Sequence, residues 1–422
     1  MPTNKPQSLR TSTRPPRNRA ITLLAVGHAC VDVYQGAVAA LVPFFVTERA
    51  YTYAAASGIV LAASLLSSVA QPLFGALTDR KPLPWLLPVS TLVGGLGIAL
   101  SGLGDSYALT LIFVAVSGLG VAAYHPESAR IARTASRGGH TAMSWFSLGG
   151  NLGFAFSPAL VALVIGFGGL TMSPLLLLPA LAGSVLCLPA LRIVQHGQDT
   201  TSGTAHRTPA PTPATDDRRS FLRLTLGVIC RSVVFIGLST FISLHMAQST
   251  GWGPTAGTAA LVVLYFGGAI GTVLGGRLAE RWDRVTVIRR SYLLTVLAVA
   301  GVALTPGPLG YLFVALASAG LYVPFSLQVT LAQDYLPNHV GTAGGITLGL
   351  TVSVGGIVAP AIGLLADATS LRTALIPLIA MPALSWLAFR GLPEPAATIG
   401  PACPTTPVEP SVEPPSEKAE SP

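Results

Sequence analysis

The strings GALTDR at residues 75–80 and GRLAER at residues 276–281 are one motif written twice, 201 positions apart. Gly75 matches Gly276, Asp79 matches Glu280 and Arg80 matches Arg281. A second patch returns at an offset of 202, where Gly139, Gly153 and Pro158 become Gly341, Gly355 and Pro360. Two separate patches at almost one offset identify a duplicated unit.

The runs between the motifs say what the unit is. Of 422 residues, 51% are hydrophobic and only 10% charged, with a mean hydropathy of +0.62. A water-facing domain carries about 25% charged residues, so the body must sit in a bilayer. A hydrocarbon core about 30 Å thick takes roughly 20 apolar residues per helix. Such runs fall at 20–47, 52–77, 83–104, 107–131, 140–165 and 169–192, then at 221–247, 255–278, 286–305, 309–333, 341–365 and 371–391. The expected fold is all-α and integral to the membrane: twelve transmembrane helices in two pseudo-symmetric six-helix halves, 20–194 and 220–391.

Three segments fall outside the halves. The linker 195–219 contains TSGTAHRTPAPTPATDDRR, rich in Thr, Pro and Ala. The tails 1–19 and 392–422 hold too little apolar content to fold and are expected to be disordered. The apolar run from residue 20 exceeds a signal-peptide core of about 7–15 residues, so it reads as a retained first helix. Lys and Arg mark the cytoplasmic side of a membrane protein. Arg80, Lys81, Arg130, Arg133, Arg218, Arg219, Arg281 and Arg284 share one side with the N-terminal tail, whereas the opposite side offers Arg49 and Arg372. Both termini and the linker are therefore expected in the cytoplasm. The net charge of +8 is explained by this topology, and nucleic acid is not an expected partner. The four cysteines show no metal-ligand spacing, and no metal site is expected.

The Gly-x-x-x-Asp-Arg motif between spans two and three resembles the loop signature of the major facilitator superfamily. That resemblance implies that Asp79, Arg80, Glu280 and Arg281, with Arg130 nearby, stabilise one conformation, and that Gly75 permits close helix approach. Within the superfamily, TDRKPLPWLLP (78–88), YHPESARIARTAS (124–136), GGNLGFAFSPAL (149–160) and GHACVDVYQGAV (27–38) resemble the fosmidomycin resistance protein family of drug exporters. The resemblance implies proton-coupled efflux across a bacterial cytoplasmic membrane. Many proton-coupled exporters of the superfamily carry an Arg in the fourth helix, where this chain has Val114. Ser157–Pro158 stands in place of the Gly–Pro of an antiporter motif, and Pro158 and Pro360 are expected to bend helices five and eleven.

Ionisable groups at membrane depth are costly and hence functional candidates. Asp32 lies twelve residues into the first span, about 18 Å along it. His28 is one turn earlier and Gln35 almost one turn later, a polar stripe that should face a water-filled cavity. Asp32 and His28 are candidate proton carriers. Arg231, near mid-depth in span seven, is the candidate anion binder, since its fork suits phosphonate or carboxylate; Gln35 and Tyr34 are placed with it. An Asp32–Arg231 ion pair is the competing reading. In span four, Pro126 should kink the helix, Glu127 can pair with Arg130 at i,i+3, and His125 and Glu127 are candidates for an inner gate or proton exit.

The expected activity is thus proton-coupled export of a small, phosphonate or otherwise anionic, drug or metabolite. Partners are that molecule, protons and the lipid bilayer; the proton gradient is the driving force, no cofactor is expected, and the protein is expected to be a monomer. Proton-coupled uptake on the same fold is the alternative. A membrane-embedded enzyme is more distant, because no clustered nucleophile and base is visible. There is no G-x-x-x-x-G-K-[ST] loop for ATP.

Overall fold

The computed structural model describes residues 16–136, 140–199 and 215–395. Most of both tails and of the linker, together with Arg137 and Gly139, lies outside the described residues. Helices account for most of the described residues. The N-terminal half contains α1 (Pro16–Glu48), α2 (Tyr53–Arg80), α3 (Leu86–Ser101), α4 (Tyr107–Ser136), α5 (His140–Gly166) and α6 (Leu178–Asp199). The C-terminal half contains α7 (Arg218–Thr250), α8 (Pro254–Arg281), α9 (Arg284–Leu304), α10 (Gly310–Tyr335) and α11 (Val340–Ala368). Its last span is α12 (Leu371–Leu375) and α13 (Ala380–Phe389), joined by a 3-10 turn. Among the described residues, ten helices are long and apolar enough to cross a bilayer, and the shorter apolar helices Leu86–Ser101 and Val354–Ala368 fill the third and eleventh places. Large apolar side chains such as Leu163, Val185, Leu297 and Leu364 point outward, which only a lipid surround makes favourable.

Several ends differ from the expected ones. α1 begins at Pro16, inside the segment expected to be tail, because a proline in the first turn lacks only a donor that would be unpaired anyway. α6 runs to Asp199, into the expected linker, since a helix leaving the hydrocarbon can continue on polar residues. α7 starts at Arg218, where the Asp217 carboxylate accepts from the Ser220 amide at 3.0 Å. Beyond α13, Glu394 is docked on Arg284 at 2.6 Å, so the chain stays bound past residue 392.

The duplication read in the sequence is a packing duplication. A Cβ on Gly153 would collide with the Ala29 carbonyl of α1, and one on Gly355 with the Ser232 carbonyl of α7. Thus α5 rides on α1 as α11 rides on α7, with glycine at the closest point. The Tyr107 hydroxyl donates to the Ala55 carbonyl (2.9 Å), and the Tyr311 hydroxyl to that of Ala256 (2.8 Å). The halves meet along α2 against α11 and α5 against α8. Asp367 at the end of α11 accepts from the Tyr53 and Ala54 amides (2.8 and 2.9 Å), and Gln248 donates to the Tyr53 hydroxyl (2.9 Å). These links lie at the end of the bundle opposite the GALTDR loop.

Candidate functional site

Between the halves lies a cavity of about 800 Å³. His28, Asp32 and Gln35 of α1 reach it as one stripe, joined by His125 of α4, and Arg231 of α7 stands in the wall of the other half. Asp32 is at the midpoint of α1 and only 8% exposed, so its charge must be compensated within the protein. His28 Nε2 lies 3.3 Å from Asp32 Oδ2, and His125 Nε2 lies 3.1 Å from Oδ1. The other nitrogen of each ring is held by backbone: His28 Nδ1 is 3.0 Å from the Phe146 carbonyl of α5, and His125 Nδ1 is 2.8 Å from the Val121 carbonyl. The His28 ring is also stacked on Phe146, with centroids 4.4 Å apart. The donor atoms of the three side chains lie within 4.8 Å of one another, a group able to surround a small cation. The nitrogen–oxygen separations are close to hydrogen-bond lengths, which suits shared protons.

Arg231 is buried (1% exposed); it donates to the Leu321 carbonyl at 3.0 Å and lies over the Phe325 ring, 5.1 Å from its centroid. The Asp32–Arg231 ion pair is not made. Both carboxylate oxygens are taken by imidazoles of the same half, which leaves the two charges to act across the cavity.

His125 and Glu127 are separated rather than paired in one gate. Two positions on a helix point about 200° apart, so His125 faces Asp32 while Glu127 faces away. Glu127 is fully buried, bound to Arg130 through Nε at 2.8 Å and a second, shorter contact, and it accepts from the Leu83 amide at 3.1 Å. It ties α4 to the α2–α3 connection. Tyr34 borders the cavity, but its hydroxyl donates to the Leu176 carbonyl at 2.9 Å, so its polar atom serves packing against the 3-10 segment that precedes α6.

At the loop motifs, Arg80, Glu280 and Arg281 are exposed, and Arg281 lies over the Trp282 ring; the Asp79 side chain is outside the described ones. Gly75 has room for a methyl, with Pro126 Cβ 3.8 Å from where it would sit, and Gly276 faces open space. Close approach is therefore not the reason for glycine there in this conformation. The ion pairs of the second copy run instead from Arg284 to Asp334 and Glu394, both at 2.6 Å. Pro158 and Pro360 sit inside α5 and α11, five residues after Gly153 and Gly355.

What the sequence reading missed is aromatic. Phe154, Phe235, Tyr265, Tyr322 and Phe325 line the same cavity, with Phe154 and Tyr265 edge to face at 4.5 Å across the two halves. One signal was available: Phe235 lies one turn after Arg231, the same spacing that joins His28 to Asp32.

Comparison with known proteins agrees with this architecture. The family model of the Major Facilitator Superfamily matches residues 24–360. The fosmidomycin resistance protein of Escherichia coli (strain K12) is 29% identical over 370 residues, covering 85% of this chain and 90% of the relative. An uncharacterized MFS-type transporter of Bacillus subtilis (strain 168), YfnC, is 32% identical over 396 residues, covering 87% and 91%. Among solved structures, a bacterial homolog of the human lysosomal transporter Spinster, inward-facing and unoccupied, superposes with a TM-score of 0.68 at 16% identity, covering 90% of this chain and 98% of that one. A D-xylose–proton symporter superposes with a TM-score of 0.67 at 14% identity, covering 89% and 98%. The chain is a multi-pass membrane transporter, not an enzyme, and belongs to the Major Facilitator Superfamily.

Proposed function

We propose that the protein exports a small anion, a phosphonate or a related drug or metabolite, in exchange for protons, by alternating exposure of the central cavity. The observation that carries this reading is the composition of the cavity: a buried carboxylate flanked by two imidazoles on one wall and a buried arginine on the other. The first set exchanges protons; the second suits an oxyanion. Similarity to a fosmidomycin resistance protein supports export and a phosphonate. The Lys and Arg bias supports a bacterial cytoplasmic membrane with both termini inside. There, expelling an anion gains about 2.3 kcal/mol per charge per 100 mV of inside-negative potential. On this reading the protein works as a monomer, driven by the proton gradient without a cofactor.

One observation favours the reverse direction. Protonating the imidazoles adds positive charge to a cavity that already holds Arg231, and this favours anion and protons in the same state, the logic of uptake by symport. Transport into inverted vesicles under an imposed pH gradient separates the two. The primary test is fosmidomycin susceptibility of an exporter-deficient host expressing the protein, with Asp32→Asn and Arg231→Gln as comparisons. Resistance conferred by the wild type and lost in both variants supports export. Unchanged susceptibility despite confirmed membrane insertion would overturn the drug-export reading.

A further inference from the structure

Both imidazoles in the cavity wall have one nitrogen committed to backbone. A carbonyl oxygen only accepts, so Nδ1 of His28, against Phe146, and Nδ1 of His125, against Val121, must each carry hydrogen. In the neutral ring Nε2 is then a bare lone pair. Each Nε2 faces a different oxygen of Asp32, His28 toward Oδ2 and His125 toward Oδ1. A carboxylate oxygen is also an acceptor, so each gap sets acceptor against acceptor unless a proton lies between them. Water is no remedy: gaps of 3.3 and 3.1 Å leave no room for a water between the atoms, and His28 Nε2 and Asp32 Oδ1 are buried with no hydrogen-bond partner beyond these contacts.

From this geometry we infer that His28, Asp32 and His125 form a two-proton site, one proton held in each imidazole–carboxylate gap. The inference rests on the cavity being a proton-coupled transport site and specifies how many protons it exchanges. One proton cannot serve both gaps, because the two rings approach different oxygens. The charge bookkeeping is simple. Two protons make the triad cationic, one makes it neutral, and none leaves an anion with its lone pairs opposed. The unloaded triad therefore pushes His125, on α4, away from Asp32, on α1, while Phe146 holds His28 to α5. Discharge thus acts on the α1–α4 contact within one half.

Among the described residues, the other ionisable groups near the triad are Tyr124 of α4, whose ring centroid is 6.0 Å from that of His28, Cys187 of α6 beside Tyr124, Cys30 of α1, and Tyr34, which borders the same cavity. Arg231 of α7 and Tyr265 of α8 face it across the cavity. The described side chains that α2, α3 and α5 present to it are uncharged. Arg231 keeps its charge throughout, so exchange falls to the two rings and the carboxylate.

The test is histidine-selective nitrogen-15 spectroscopy of the full chain in lipid nanodiscs, with His28→Gln and His125→Gln supplying the assignments. The expected result is that both rings pass from imidazolium at acid pH to the Nδ1–H neutral form at alkaline pH, each losing one Nε2 proton. A ring found in the Nε2–H neutral form, or a titration in which only one of the two rings changes, overturns the proposal. The wild-type spectrum counts the titrating rings even if a variant folds poorly. As a second readout, the reversal potential of fosmidomycin flux in proteoliposomes should give two protons per molecule in the wild type and one in His125→Gln. A wild-type ratio of one also overturns it. Flux that ignores the pH gradient, with both rings still titrating, would remove proton coupling as the function and leave the two-proton site standing; where fosmidomycin is not carried, the spectra alone decide.

Discussion

His125 Nε2 on α4 lies 3.1 Å from Asp32 Oδ1 on α1, so the polar stripe of the first helix is completed by a residue from another helix. The two side chains act as one unit, and their substitutions should not add. Asp32→Asn and His125→Gln are each expected to cut proton-driven fosmidomycin flux in inverted vesicles about tenfold or more, with the double variant little worse than the poorer single; groups in contact couple by roughly 0.5–3 kcal/mol. Simple additivity would separate them.

On the proposed reading, Arg231 in the cavity wall receives the anion. Removing a hydrogen bond to a charged group costs about 1.5–3 kcal/mol, so Arg231→Gln should raise the half-saturating fosmidomycin concentration about 10- to 100-fold. Arg231→Lys should recover only part of this, because an ammonium lacks the planar fork. Half-saturation unchanged in the Gln variant removes Arg231 from substrate binding.

Gly153 is required by contact, whereas Gly276 is not. Gly153→Ala drives a methyl into the Ala29 carbonyl, an overpacking expected to cost about 1–3 kcal/mol. Thermal unfolding of the detergent-purified protein should show a lower Tm for this variant. Gly276→Ala, with nothing near the added carbon, should match the wild type.

Asp367 caps the start of α2 from the opposite half. A carboxylate at an exposed helix N-terminus contributes about 0.3–1 kcal/mol. Asp367→Asn should therefore shift the balance a few-fold toward opening at that end. Labelling of a cysteine placed at Ser239, a cavity residue, should quicken from the side opposite the GALTDR loop. An unchanged rate would mean the cap does not hold that end closed.

Near the end of the linker, Asp216 accepts from the Asn338 amide at 3.1 Å and meets His339 Nδ1 at 2.7 Å. Slight desolvation pushes its carboxyl up, but the bonds from Asn338 and His339 outweigh this and hold it below the usual carboxylate value. A lowered folded pKa means the docking is fully present above the ordinary carboxylate range and is lost as pH falls through the folded value. Protection from hydrogen exchange at Asp217 and Asn338, taken against the intrinsic rate at each pH, should fall at acid pH and in Asp216→Asn at neutral pH. Protection flat with pH would show the docking to be independent of this charge.

The helices and their duplication were legible because bilayer burial acts on composition. A run of about 20 apolar residues needs no partner to be recognised, and Gly153 with Gly355 recorded a close helix contact in each half. The roles of Gly75 and Glu127 were not legible. Whether a glycine is crowded, or which way an acid faces, depends on the helix beside it.

The sequence by itself determined twelve apolar spans in two halves, a charge bias along one side, and the few ionisable residues at membrane depth. Tertiary structure decided which of them meet. His125 joined Asp32, Arg231 remained apart from it, and five aromatic residues closed around the space between. Periodicity fixes the face of a helix on which a side chain lies, but the rotation and depth at which two helices pack are set by contacts hundreds of residues apart.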